Sequence, residues 1–286
     1  MKPSSVIVRA ITVFVATSVL QLIASMLAAL LIPVKTAFDP KIAQHILYWM
    51  VLTNGVTVLA LIPTAIRSDW RWWRLGAAVA AIPAVIVFIN GIEGAVFLKN
   101  AHIEWNRIFL SAAVGALLNV PVWMLLFGMR RDTPQQHFHP IASRTTGQRA
   151  WRLIACDFSY LVLYFICGTI IFPYVKDFYA TQTLPAPGTI VALQLLLRGP
   201  VFVLLCLLML RMLGMPRWTG ALALGAIFTL LSGVAPLLMP NPYFPDSVRW
   251  VHMIEVTSSN FAFGVIVGWL WSEPKSVRSP VLAHAA

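Results

Sequence analysis

The chain is short of charge. Of its 286 residues only 11% are Asp, Glu, Lys or Arg, and just ten are acidic. Soluble domains carry about 25% charged residues, enough to keep their surfaces wetted. A chain this poor in charge and 59% hydrophobic, with a mean hydropathy of +0.80, cannot solvate its surface in water. Its solvent is therefore expected to be lipid.

Cysteine is scarce too. Cys156, Cys167 and Cys206 all lie inside apolar runs and form no CxxC pair, so they read as small packing residues rather than redox or metal ligands. Several catalytic signatures are missing: the phosphate-cradling P-loop, the HExxH helix, the GxSxG elbow, and a GxGxxG following a strand. The net charge of +11 has no basic helix face or basic-aromatic platform behind it, so nucleic acid is not an expected partner. GxxxG spacing dominates no helix. No cofactor is expected.

What the chain does have is long apolar runs. A hydrocarbon core of ~30 Å needs about 20 helical residues. Eight runs qualify, at roughly 8–32, 45–66, 75–98, 108–129, 152–174, 189–211, 218–239 and 249–271. They are continuous rather than alternating, which excludes barrel strands. The first run follows Lys2 and Arg9, but it is longer than a signal-peptide core and no small-x-small cleavage site follows it, so it reads as a spanning helix. The expected fold is an all-α transmembrane bundle of eight helices forming one integral membrane domain, 1–286.

The basic residues are unevenly shared between the connections. Fourteen fall on the side of both termini and six on the other, with Arg198 inside a helix. By the positive-inside rule both termini are expected in the cytoplasm, in a bacterial-type inner membrane. Trp70, Trp72, Trp73, Trp151 and Trp218 fall at the inner interface. Tyr48, Trp49, Trp105, Tyr179, Tyr243 and Trp250 fall at the outer one, completing an aromatic belt. Asp246 or Ser247 is placed to cap the eighth helix.

An internal duplication is also indicated. At an offset near 140, Arg9, Pro33 and Phe38 match Arg149, Pro173 and Phe178; near 144, Asn54-Gly55 matches Arg198-Gly199 and Gly76-Ala77 matches Gly220-Ala221. The halves would be 1–130 and 149–272, joined by the basic loop 130–152. A four-helix repeat has even parity, so both copies would share one orientation about an axis along the membrane normal.

Ionisable groups within a membrane are costly and tend to mark function. Glu93, Arg198 and Glu255 stand out, with His252 one turn from Glu255. At ~1.5 Å per residue they fall about 7, 14, 9 and 4 Å below the outer helix ends, a convergence that suggests one site. Asn90 lies a turn from Glu93, Asn54 matches Arg198 in the duplication, and Asn260 extends the patch inward with Ser258 and Ser259. Arg249, His252, Glu255 and Ser259 share one helix face.

Three readings are open for this cluster. In the preferred one, Glu93 and Glu255 bind a proton or cation in a small transporter or permease, Arg198 neutralises one carboxylate or holds an anion, and His252 connects the site to the outside. The second is a metal at His252, Glu255 and Glu93 in a membrane hydrolase or transferase, with His45 as the one further histidine nearby; a haem between His45 and His252 ranks below it. The third is structural glue, with Arg198 bridging Glu93 and Glu255. Enzyme activity is the less expected outcome. Expected partners are the bilayer and a small solute or ion, with oligomeric state left open. His137 and His139 read as part of a solvated connector, and Asp157 as a partner of Arg149 and Arg152.

Overall fold

The computed structural model describes residues 3–33, 40–98, 103–129, 144–239 and 245–272. Eight helices among them are long and apolar enough to cross a membrane: α1 (Ser4–Leu31), α2 (Ile46–Arg67), α3 (Trp72–Phe97), α4 (Trp105–Gly128), α5 (Thr146–Tyr179), α6 (Pro187–Leu213), α7 (Arg217–Leu238) and α8 (Asp246–Trp271). No strand occurs among the described residues. The protein is an all-α, polytopic membrane protein. His137, His139, Tyr243 and the side chain of His45 lie outside the described residues.

The helices pack as two similar sets. In the first, α4 lies against α1 and α3, and α2 against α1 and α3; in the second, α8 lies against α5 and α7, and α6 against α5 and α7. Between the sets, α2 meets α6 and α7, while α3 meets α7. Large apolar side chains along α1, such as Ile11, Val15 and Leu30, are exposed, as expected of a lipid-facing helix. Phe202, Cys206, Met209 and Leu210 of α6 are fully buried at the centre.

Helices α7 and α8 cross at close range. A Cβ added at Gly264 would lie 2.7 Å from the Cα of Gly225, and one at Gly268 2.5 Å from the Cα of Ala221. Gly264 and Gly268 are four apart, as are Ala221 and Gly225, so this crossing is a small-xxx-small seam that lets two backbones touch. The sequence reading gave GxxxG no role. Against the whole chain's apolar background the motif carried little weight, but it sets this helix pair.

Three helices widen into a π turn: α4 at Met124–Gly128, α6 at Gln194–Arg198 and α7 at Leu230–Val234. In α6 and α7 a proline follows, Pro200 and Pro236. Proline lacks the N–H that would close the regular turn, and the wider turn takes up the mismatch, with Gly199 N–H reaching back to the Gln194 carbonyl and Ala235 N–H to that of Leu230.

The start of α1 and the end of α8 lie at one end of the bundle, where arginines close helix C-termini. Arg9 of α1 donates to the Leu126 carbonyl at 2.7 Å, and Arg67 of α2 to that of Leu213 at 2.7 Å. The end of α8 is held by Arg144 on Trp271 at 2.7 Å, Arg152 on Leu270 at 3.0 Å and Arg217 on Trp269 at 3.0 Å. A cation there satisfies orphan carbonyls and meets the negative end of the helix dipole. Arg211 of α6 pairs with Asp69 at 2.8 Å. At the opposite end Arg249 donates to the Leu238 carbonyl at 2.8 Å. Asp246 does not cap α8: it sits in the first turn and accepts from Arg249 at 2.9 Å, while Pro245 holds the cap position without a side-chain bond.

Candidate functional site

The π turn of α6 brings Gln194 and Arg198 onto one side, with Arg198 Nη1 and Gln194 Oε1 3.4 Å apart. Both face α3. Arg198 pairs with Glu93 through Oε1, which also accepts from Gln194 Nε2 at 3.1 Å, and Arg198 Nη2 donates to Asn90 Oδ1 at 3.0 Å. Gln194 is wholly buried and Arg198 nearly so. A guanidinium this deep needs a counter-charge and acceptors, and α3 supplies a carboxylate and an amide one turn apart.

Aromatic rings lie beneath the cation. The Arg198 guanidinium carbon is 5.2 Å from the Phe202 ring centre and 5.8 Å from that of Tyr160. Tyr160 meets Phe202 edge-on at 5.4 Å and Phe263 at 5.1 Å, and Phe228 completes the cluster at 5.1 Å from Phe202. One residue from each of α5, α6, α7 and α8 therefore meets under the charge, contributing ring contact and cation–π attraction.

Glu255 is buried on α8, and its Oε2 lies 2.6 Å from His252 Nδ1. Its Oε1 packs at 3.3 Å from the Cβ position of Gly168 on α5, so a side chain there would press on the carboxylate. The His252 side chain is 26% exposed and is the wetter member of the pair. His252 lies within electrostatic reach of Glu93 and Arg198 as well as Glu255. Tyr160 and Tyr164 on α5 are within reach of all three charged groups, and Tyr179 of the two carboxylates. One electrostatic neighbourhood thus holds Glu93, Arg198, His252 and Glu255.

Two sequence expectations change. Arg198 does not bridge the two glutamates: the π turn aims it at α3, and Glu255 takes His252 from its own helix. Asp157 does not pair with Arg149 or Arg152. Arg152 is engaged by the carbonyls of Leu270 and Gln148, while the Asp157 carboxylate packs over Gly199 with a sealed, unpartnered Oδ1. Asn54 and Asn260 enter no hydrogen bond with the cluster, and the Nδ2 of each is sealed without a partner. Ser258 and Ser259 turn back to carbonyls of their own helix, Ile254 and Val256. For the metal reading, no three His, Cys, Asp or Glu side chains among the described residues are placed to share an ion, because Glu93 Oε1 is turned to Arg198 and Gln194.

Sequence reasoning missed Gln194, Tyr160 and Phe202. Gln194 and Phe202 lie four residues either side of Arg198, a spacing that could have flagged them. No family model, curated protein or solved structure significantly matches the chain. The functional reading therefore rests on the geometry.

Proposed function

We propose that the protein is a small transporter of the permease type, set in an inner membrane with both termini cytoplasmic, and that Glu93 and Glu255 bind the coupling proton or cation. One observation carries this. Glu93 Oε2 and Glu255 Oε1 have no hydrogen-bond partner among the described residues, although both carboxylates lie within the spans and around one charge centre. Two carboxylates beside one guanidinium leave a surplus negative charge, which a proton, a cation or a charged His252 would balance. A purely structural network would be expected to satisfy its carboxylates in full.

We further infer that the halves, 1–130 and 149–272, are copies in parallel orientation. Support comes from contacts that recur at nearly constant spacing. Arg67 meets residue 213 and Arg211 meets residue 69, so both members of the pair shift by 144 and the contact is reciprocal. Arg9 on Leu126 recurs as Arg152 on Leu270, and Phe14 over Gly55 as Asp157 over Gly199. Trp105 over Gly94 recurs as Arg249 on Leu238. These contacts favour an offset of 143 for α1 and α5, in place of the 140 that the sequence matches suggested. Repeats of this parity are related by an axis along the membrane normal and rock against one another around a site between them. The Arg67–Leu213 and Arg211–Asp69 contacts would then close the terminal end while the site faces the other.

The test is thermal unfolding of the purified protein across pH for wild type, Glu93→Gln and Glu255→Gln. The reading expects a pH-dependent melting temperature that one or both variants flatten. Identical profiles in all three proteins would remove its basis.

A further inference from the structure

At the terminal end, the connection from α2 to α3 gathers arginines and tryptophans. Arg71, Trp72, Trp73 and Arg74, with Asp69 and Arg211, line an open groove of about 700 Å³. That is within the range of ligand sites, roughly 300–1,000 Å³. Its three guanidiniums and one carboxylate leave two positive charges. Arg211 is tied to Asp69, whereas Arg74 has only the Trp73 ring, at 5.9 Å, among the described residues.

The groove is built rather than left over. Trp72 adopts φ +53, a left-handed backbone that bulky residues rarely take. The end of α4 presses on it: a Cβ at Gly128 would lie 3.0 Å from the Trp72 nitrogen. Trp72 and Trp73 are thereby turned outward, each about 60% exposed. The corresponding connection between α6 and α7 is built differently. There Arg217 stacks on Trp269 at 4.1 Å and donates to its carbonyl, and methionine stands at position 215 where Arg71 would recur.

We propose that this groove binds the phosphodiester headgroup of an anionic phospholipid. Exposed tryptophans at a helix end mark the headgroup layer, so the guanidiniums lie at the depth of the lipid phosphates. Guanidinium forks match phosphate oxygens in pairs, and basic pockets between helices on the cytoplasmic side suit anionic headgroups. The tryptophan rings flank the opening and would lie along the upper acyl chains. A soluble phosphate would gain nothing from them, which favours lipid as the occupant.

The test uses the full chain in neutral detergent. Phosphatidylglycerol should raise the melting temperature by several degrees, an effect that weakens with added salt, while phosphatidylcholine and inorganic phosphate should not. Arg71→Gln with Arg74→Gln should abolish the rise. Arg107→Gln, at the opposite end, should keep it. An equal rise with phosphatidylcholine, or a double variant that responds like wild type, overturns the proposal. A rise with inorganic phosphate alone would reassign the groove to a soluble anion and overturn the lipid. Should the double variant fail to fold, wild type in mixed vesicles decides: brominated phosphatidylglycerol must quench tryptophan fluorescence more than brominated phosphatidylcholine at equal fraction, and equal quenching refutes the site. None of these readouts depends on transport.

Discussion

Between the two four-helix sets, side chains link α3 to α6 while α2 packs on α7, and these two seams differ sharply. The first carries Glu93, Asn90, Gln194 and Arg198, bonded to one another. On the second, at positions shifted by 144, stand Leu237, Val234, Met50 and Asn54. One seam is ionic and hydrogen-bonded; its counterpart is apolar save for one amide whose nitrogen has no partner. If the halves are copies, the backbone arrangement tolerates either chemistry. The ionic seam is then not required to hold the bundle together. That difference argues that the charges were kept for a purpose other than packing.

The largest expected effect comes from breaking the ionic seam on one side only. Arg198→Ala leaves the largely shielded Glu93 beside Gln194 with no cation, and should cost about 3 kcal/mol of stability in thermal or denaturant unfolding. Replacing the pair together, Arg198→Met with Glu93→Leu, should recover most of that loss, since it imitates the apolar seam. A double variant no more stable than Arg198→Ala would show the seam to be structurally required, and the contrast between the seams would lose its meaning.

Next in size is the packing just below Arg198. A methyl at Gly199 would collide with the Asp157 carboxylate, so Gly199→Ala should cost about 1–3 kcal/mol. Gly55, its counterpart, faces Phe14 with a Cβ position 3.3 Å away, against a ring edge that can tilt. Gly55→Ala should therefore cost less. Equal costs, measured by unfolding, would mean that the two positions are packed alike after all.

How much of this the sequence carried depends on how far apart the interacting groups lie. The eight spans were legible because lipid imposes a length of apolar residues that nothing else in the chain imitates. Their ends were less so. Helix α5 starts at Thr146 rather than near 152 because Thr145 and Gln148 form a capping box, a signal hidden in polar sequence, and it runs on to Tyr179 past the hydrocarbon. Glu93, Arg198 and Asn90 were legible as one site from depth alone. The assignment of Arg198 to Glu93 rather than Glu255 was not. It depends on the extra residue in the π turn, which rotates the side chain by about a quarter turn relative to a regular helix. Asp157 was misread because local charge along the sequence pointed to Arg149 and Arg152, while three-dimensional packing gave those arginines other partners.

The clasp at the terminal end offers a smaller effect. Arg211 and Asp69 are mostly shielded from solvent, but Asp69→Asn keeps an oxygen to accept from the guanidinium, so it should cost about 1 kcal/mol. Its sharper readout is access. In a background lacking Cys156, Cys167 and Cys206, Asn90→Cys should resist impermeant thiol reagent from the terminal side, and adding Asp69→Asn with Arg211→Gln should admit it. Unchanged protection in a folded protein would mean that the clasp closes nothing.

The comparison of two asparagines is the most discriminating, because the same substitution can be made on both seams. Asn90 Oδ1 receives Arg198 Nη2 at 3.0 Å, so Asn90→Leu strands a buried donor and should cost about 1–3 kcal/mol. The Nδ2 of Asn54 is sealed with no acceptor, so Asn54→Leu removes an unsatisfied group and should be neutral or stabilising, by about 1 kcal/mol at most. Unfolding of the two single variants under one condition measures the difference directly. If Asn54→Leu proves as costly as Asn90→Leu, then Asn54 has a partner in the working protein. That partner would be a solute or water drawn to the second seam, which would make the two seams a matched pair of sites rather than a site and its silent copy.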